Sequence, residues 1–264
     1  MQRALLAATL VLMVVGAFAL ALLRPWWFTP LASNWGSIDG IILLSLVLTG
    51  LAYAGVNLFL AYSLARYAKG PAQYIPDDPL LERRLFWFTA LGIAVLLAPG
   101  LYFYAHLVRP PQPKLTVEVL GQQWLWSYRY PGPDGKLGAT DTARVSPANP
   151  FGLDPKDPAA RDDVVVVGGP LRLPLGMPVQ LLLRANDVIH AFYVPEFRIK
   201  MDAVPGMVTR IWLTPTRLGA FQAVCAEYCG LGHARMLGQV LVVSPQEFQA
   251  WLEAQPRAAQ ALGQ

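Results

Sequence analysis

Charge is scarce in this 264-residue chain: Asp, Glu, Lys and Arg together make up 14%, against about 25% in soluble globular domains. The hydrophobic fraction is 55% and the mean hydropathy is +0.39. Such a balance excludes a disordered chain and argues against an ordinary cytosolic enzyme. Cysteine is nearly missing as well. With two in all, the chain is no disulfide-stapled secreted miniprotein. No run of Lys or Arg accompanies the net charge of +4, so nothing marks nucleic-acid binding. Internal repeats and low-complexity tracts are absent too.

What is abundant is uninterrupted apolar sequence. Residues 4–23, 40–65 and 85–108 carry no Asp, Glu, Lys or Arg. About 20 apolar residues span the hydrocarbon core as a helix, and each run also avoids the ~2.5–3.5 kcal/mol cost of a mid-membrane charge. The alternative, three buried helices of a soluble protein, fits poorly, because core helices seldom run so long without a charge. Residues 1–23, which open with Arg3, read as a signal peptide or a first membrane span. Residues 24–108 read as a transmembrane hairpin. Its connecting loop holds Arg66, Lys69, Arg83 and Arg84, whereas residues 24–39 hold only Arg24, so the positive-inside bias places residues 66–84 in the cytoplasm. Residues 109–264 are then delivered outside, whether or not the first segment is cleaved. Trp26, Trp27 and Trp87 read as interface anchors. His106, near the outer end of the third run, reads as a solvated helix end.

The exported half changes period. β-branched and aromatic runs at residues 115–120, 124–130, 164–167, 179–184, 207–213, 221–225 and 240–243 predict short strands of a sandwich or barrel. Residues 245–254 predict the one helix, with Phe248, Trp251 and Leu252 on a common side. Residues 131–163 predict a long polar loop. Asp154, Asp157, Asp162 and Asp163 within it form a candidate docking patch, although a solvated loop is the simpler reading. The whole half holds 15 basic and 13 acidic residues, so docking by charge would need such a local patch.

Both cysteines, one of three histidines and a methionine fall between positions 225 and 236, as Cys225, Cys229, His233 and Met236. Thiolate, imidazole and thioether are soft or borderline donors that select copper or zinc. Three readings compete. A disulfide suits an exported chain but leaves His233 and Met236 unexplained. A Cys2His2 zinc site gives Met236 no role. Copper uses every donor, and a second cysteine beyond the mononuclear blue-copper set lets two thiolates bridge two ions.

The pattern Cys-x-Glu-x-Cys-Gly-x-x-His-x-x-Met resembles the CuA loop of cytochrome c oxidase subunit 2. The resemblance extends to the membrane hairpin, to Gly121-Gln-Gln-Trp124-Leu-Trp126-Ser-Tyr128, to Asp187-Val-Ile-His190 and to Lys200-Met-Asp202-Ala-Val-Pro205-Gly206. It implies an N-terminal transmembrane hairpin followed by an all-β cupredoxin-like Greek-key barrel. By the same resemblance His190, Cys225, the backbone carbonyl of Glu227, Cys229, His233 and Met236 would hold a binuclear copper centre. The Glu227 side chain would share a Mg²⁺ with subunit 1, and Trp124 would receive electrons from cytochrome c. The chain would then be an electron-transfer subunit of a proton-translocating cytochrome-c oxidase, multi-pass in a bacterial inner membrane. Its copper domain would face the periplasm beside subunit 1 and other oxidase subunits. With no Cys-x-x-Cys-His, this chain carries no c-type haem of its own.

Departures from the family pattern bear on this reading. Arg129 stands where many members carry an acid, which weakens the case for an acidic docking face, and Leu125 replaces a common tyrosine. Glu82 stands near where members place an acid at a proton channel. The rival functions are a quinol oxidase subunit 2, a membrane-anchored copper-binding assembly factor and a nitrous-oxide-reducing enzyme. The first lacks the copper donors, the second needs neither Met236 nor the Trp124 stretch, and the third needs a large extra domain.

Overall fold

The computed structural model describes residues 2–23, 28–67 and 76–261. Arg24, Trp26, Trp27 and Lys69, to which roles were given above, lie outside them. The chain divides into two units, one of Met1–Phe28 and Ser37–Val108, the other of Thr29–Gly36 and Arg109–Gln264.

The first unit is helical: α1 (Gln2–Leu23), α2 (Ser37–Arg66) and α3 (Pro79–Leu107). All three are long and apolar enough to cross a membrane. Their side chains stand outward, with no buried residue on α3, so these helices are not the core of a soluble fold. The start of α3 lies six residues before the third uncharged run, because local chemistry sets it. Asp78 accepts a hydrogen bond from the Leu81 N–H at 3.0 Å, and Pro79 occupies the first helical turn, where its missing N–H costs nothing. Glu82 therefore sits in the first turn of α3 and His106 in the last.

The second unit is an all-β domain of two five-stranded sheets. Strands β1 (Leu115–Gln122), β2 (Leu125–Tyr130), β3 (Val164–Val167), β5 (Val179–Ala185) and β8 (Thr209–Leu213) form one, ordered β3-β2-β1-β5-β8. Strands β4 (Leu171–Pro174), β6 (His190–Val194), β7 (Ile199–Ala203), β9 (Gly219–Cys225) and β10 (Leu237–Val243) form the other, ordered β4-β10-β9-β6-β7. Three of these, β4, β6 and β7, go beyond the sequence reading. They are four or five residues long, too short for alternation to register against the turns around them. The predicted C-terminal helix is α5 (Pro245–Ala254), capped by Ser244, whose hydroxyl accepts from the Glu247 N–H at 3.2 Å.

Residues 131–163 are solvated only in part. Central strand β1 is buried on both faces, and this segment covers the outer one, with Phe151, Leu153 and Ala160 packing on Leu120 and on Ala258 of the short helix α6 (Ala258–Ala261). A short helix within it, α4 (Pro158–Asp162), is capped by Asp157, whose carboxylate takes the N–H groups of Ala159 and Ala139. The aspartates proposed as a docking patch are spent on structure. Asp154 accepts from the Lys156 N–H and pairs with Arg144, Asp162 accepts from the Asp134 N–H, and Asp163 is fully buried.

Asp163 belongs to a charge network that spacing along the chain does not reveal. Glu118 and Arg129 lie opposite each other in the β1–β2 register, and the Arg129 guanidinium pairs with Glu118 and, at 2.7 Å, with Asp163. Arg184 of β5 reaches the other Glu118 oxygen at 2.7 Å. Arg129 is 4% exposed, so its effect is on the core and not on any surface face. Burial pushes the Asp163 carboxyl up to about 6, against the pull of Arg129 and the Gly138 N–H.

Residues Thr29–Gly36, assigned above to the hairpin, pack instead as a strap on the β-domain. Ala32 donates its N–H to Glu196 and accepts from Thr216. The Ser33 hydroxyl donates to the Phe197 carbonyl at 2.7 Å. Trp35 is buried edge-on against Trp212 at 4.5 Å, and its indole N–H donates to the Trp212 carbonyl at 2.8 Å. Replacing Trp35 by phenylalanine leaves that buried carbonyl without its donor, so a loss of about 1–3 kcal/mol is expected. Thermal unfolding of the full chain in detergent checks it.

Candidate metal centre

The six sequence-predicted positions converge at one end of the second sheet. His190 opens β6 and Cys225 closes β9, neighbouring antiparallel strands with Phe192 opposite Cys225. Residues 226–236 form a loop that leaves β9 and re-enters at β10. The loop is closed at its neck by the Cys225 N–H donating to the Met236 carbonyl at 3.1 Å. Two glycines let it fold this tightly. Gly230 has φ +116°, where side chains are strained. At Gly232 a Cβ would lie 2.3 Å from the Trp124 ring.

The sulfurs of Cys225 and Cys229 are 3.7 Å apart, far beyond the ~2.05 Å of a disulfide, and both thiols are free. The disulfide alternative is thereby set aside. Around the sulfurs the other donors sort into two groups. His190 Nδ1 lies 3.8 Å from Cys225 Sγ, and the Glu227 carbonyl oxygen 3.2 Å from it. His233 Nδ1 lies 3.6 Å from Cys229 Sγ, and Met236 Sδ 3.8 Å. Among the described residues, His190, Cys225 and Cys229 have donor atoms within 4.8 Å of one another. Burial, with the Cys225 sulfur beside it, pushes the Cys229 thiol up to about 11. Only a cation seated on the sulfur would hold it as thiolate at neutral pH. The soft, buried donor set therefore fits copper.

Two further residues, quoted above only as parts of a motif, hold the site in shape. Asp187 Oδ1 lies 2.8 Å from His190 Nε2. With the proton on Nε2 donated to that carboxylate, the Nδ1 lone pair faces Cys225. Asp187 in turn accepts from the N–H groups of Gln123 and Val188. Partial burial raises its carboxyl, but the His190 contact and these hydrogen bonds outweigh that and hold it below the usual carboxylate range. The Gln123 side chain donates to the Cys229 carbonyl at 2.8 Å, and the Trp124 indole N–H donates to the same oxygen at 3.2 Å. Residues 123 and 124 thus join the loop that presents His190 to the loop that carries the cysteines. The sequence signal for Asp187 is an acid three residues before a candidate ligand histidine. Trp126 meets the His190 ring edge-on at 6.0 Å.

Comparison with known proteins agrees with this geometry. Residues 115–243 match the family described as cytochrome c oxidase subunit II, periplasmic domain. The chain is 46% identical over 252 residues to the alternative cytochrome c oxidase subunit 2 of Bradyrhizobium diazoefficiens, covering 94% of this chain and 91% of that one. The chain belongs to the cytochrome c oxidase subunit II family. Another relative, cytochrome c oxidase subunit 2 of Cereibacter sphaeroides, is 30% identical over 240 residues, covering 85% of this chain and 77% of its own. A solved structure, the periplasmic domain of subunit II of cytochrome oxidase from Bradyrhizobium japonicum, aligns at 30% identity. Its TM-score is 0.42, covering 56% of this chain and 96% of that one. The expected order of apolar helices before an all-β subunit II domain is present in this chain.

Proposed function

We propose that this chain is the electron-accepting subunit of a haem–copper cytochrome c oxidase. It takes single electrons from a c-type cytochrome and passes them to haem in subunit 1, where oxygen is reduced to water with proton translocation. The observation that carries the reading is the pairing of donors around two sulfurs 3.7 Å apart. Cys225 stands with His190 and the Glu227 carbonyl, and Cys229 with His233 and Met236. His190, Cys225, the Glu227 carbonyl, Cys229, His233 and Met236 would together hold two copper ions as a CuA centre. Bound there, the copper pair supplies a one-electron store whose charge is shared over two metals.

The chain's own residues supply rigidity and direction. Asp187 fixes the His190 ring, and Gln123 and Trp124 pin the Cys229 carbonyl. Ligands held by such supporting contacts move little when the charge changes. Trp124, partly exposed and hydrogen-bonded to the cysteine loop, is the point where electrons come in. The Glu227 carbonyl faces Cys225 while its residue is exposed, which leaves the carboxylate to share a Mg²⁺ with subunit 1. The reading puts the helices in a bacterial inner membrane and the β-domain on the periplasmic face.

Copper loading of the full chain in detergent tests this. Two copper ions per chain and one unpaired electron shared equally between them in the resonance spectrum are expected. A single copper per chain, or zinc bound in preference, would overturn it.

A further inference from the structure

The β-domain is joined to the apolar helices at two places that differ in kind. After α3, residues 108–114 are all exposed and include Pro110, Pro111 and Pro113. Fully extended, the stretch from Arg109 to Pro113 reaches about 17 Å, and domains on such a connection move by default. The other place is the strap, Thr29–Gly36, after which α2 begins at the very next residue, Ser37. Connecting segments ordinarily run exposed over a surface, yet Ala32, Ser33 and Trp35 are buried in the β-domain. The strap is bonded on both sides. The Ala32 N–H donates to the Glu196 carbonyl at 2.8 Å, and the Ala32 carbonyl accepts from the Thr216 N–H at 2.9 Å. Asn34 donates its N–H to the Thr214 carbonyl at 3.1 Å, and its side-chain oxygen accepts the Thr214 N–H at 2.6 Å. These bonds link the turn after β6 to the segment before β9, the strands that carry His190 and Cys225. Arg198 closes over the start of the strap, its guanidinium donating to the Thr29 carbonyl at 2.7 Å and the Thr29 hydroxyl at 3.1 Å. The Arg198 backbone is left-handed, with φ +56°, a conformation that residues other than glycine seldom adopt and keep where surrounding contacts require it.

We infer that the strap is a positioning element for electron transfer: held by Ser33, Trp35 and Arg198, it ties the β-domain to α2 and so keeps the copper centre at a set reach from haem in subunit 1. The inference rests on the electron-accepting reading above and adds the residues that hold donor and acceptor at a fixed separation. Electron transfer weakens steeply with distance, and where geometry sets a rate a misplacement of about 1 Å by a remote change can cost about a hundredfold. Two attachments also raise the effective concentration of the domain at its working position, without any new contact at the haem. The exposed connection after α3 can only limit how far the domain travels. The buried strap, bonded on both sides and followed at once by a helix, can hold it still.

The assembled oxidase provides the test, reduced rapidly by cytochrome c while copper and haem absorption are followed separately. A Gly-Ser-Gly insertion between Gly36 and Ser37 keeps every strap contact and slackens only the connection to α2. It should slow the copper-to-haem step at least about tenfold, with the cytochrome-to-copper step, copper content and the copper resonance spectrum unchanged. The same insertion after Pro111 should change that step less than about twofold, because the strap still holds. Trp35→Ala, which removes the ring packed on Trp212, should slow the same step in whatever fraction assembles. Full speed with the insertion at Gly36, or an equal slowing by the insertion after Pro111, overturns the proposal. If the Gly36 insertion prevents assembly, Trp35→Ala decides. Copper-to-haem transfer slowed at intact centres supports the strap's role, and centres lost with the remaining ones at full speed make the strap a stabiliser of the β-domain and overturn it. Failure of the underlying reading looks different. The unaltered oxidase then shows no reduction of copper ahead of haem, and the proposal falls with it.

Discussion

Cys229→Ser should strip the centre of its paired character and lower cytochrome-driven oxidase turnover by at least about a hundredfold. The Cys229 sulfur faces Cys225, His233 and Met236 at 3.6–3.8 Å, so it is the atom through which both groups of donors meet. A serine hydroxyl is a harder donor and stays protonated where a thiol beside a cation would not. One copper at most should remain, held by Cys225 and His190, with its unpaired electron on a single nucleus. The fold should survive, since the hydrogen bonds from Gln123 and Trp124 go to the Cys229 backbone carbonyl, which the substitution leaves in place. Metal analysis, electron resonance and turnover with reduced cytochrome c check this together. Two coppers and undiminished turnover in a well-folded variant would remove Cys229 from the site.

Arg129→Ala should cost about 3–5 kcal/mol of β-domain stability, the usual result of stranding a buried charge. Arg129 is the cation between Glu118 and Asp163, all three nearly or fully buried; of these two carboxylates Arg184 reaches Glu118. The loss should depend on pH. Burial already pushes the Asp163 carboxyl up to about 6 in the folded chain. Its protonation therefore favours folding below the ordinary aspartate range, and that benefit is lost as pH rises through about 6. Without the guanidinium, the charged form of Asp163 is disfavoured further. The deficit should then be larger at about pH 8 than at about pH 5. Thermal unfolding of both proteins across this range measures it, and a deficit independent of pH would assign the loss to packing alone. Copper content at neutral pH should stay unchanged in whatever fraction is folded, because the network joins β1, β2, β5 and the residue before β3, while the donors come from β6, the end of β9 and the loop after it.

What could be read along the chain was whatever depends on near neighbours. Three runs without charge give three apolar helices, because a helix satisfies its own backbone and needs no distant partner to form. Donors packed between Cys225 and Met236 show metal chemistry because one loop with two glycines can gather them. His190 stands 35 residues before Cys225 and was tied to that loop by family resemblance, not by spacing. Strand β6, which presents it, went unread because five residues carry too little pattern. The polar composition of residues 131–163 suggested solvent, whereas their carboxylates cap helix α4, brace turns and enter the core as a paired charge.

By itself, then, the sequence determined the membrane-type helices, the all-β character of the second half and the identity of the soft donors. These follow from composition and periodicity within a few turns of chain. Tertiary structure decided that Thr29–Gly36 straps the β-domain, through bonds such as Ser33 to Phe197 and Trp35 to Trp212 that join residues 164 and 177 positions apart. It also decided that Arg129 faces inward and that Asp187 and Gln123 hold the metal donors in place. Such contacts come from distant segments closing on one another, and neither segment carries a local mark of its partner.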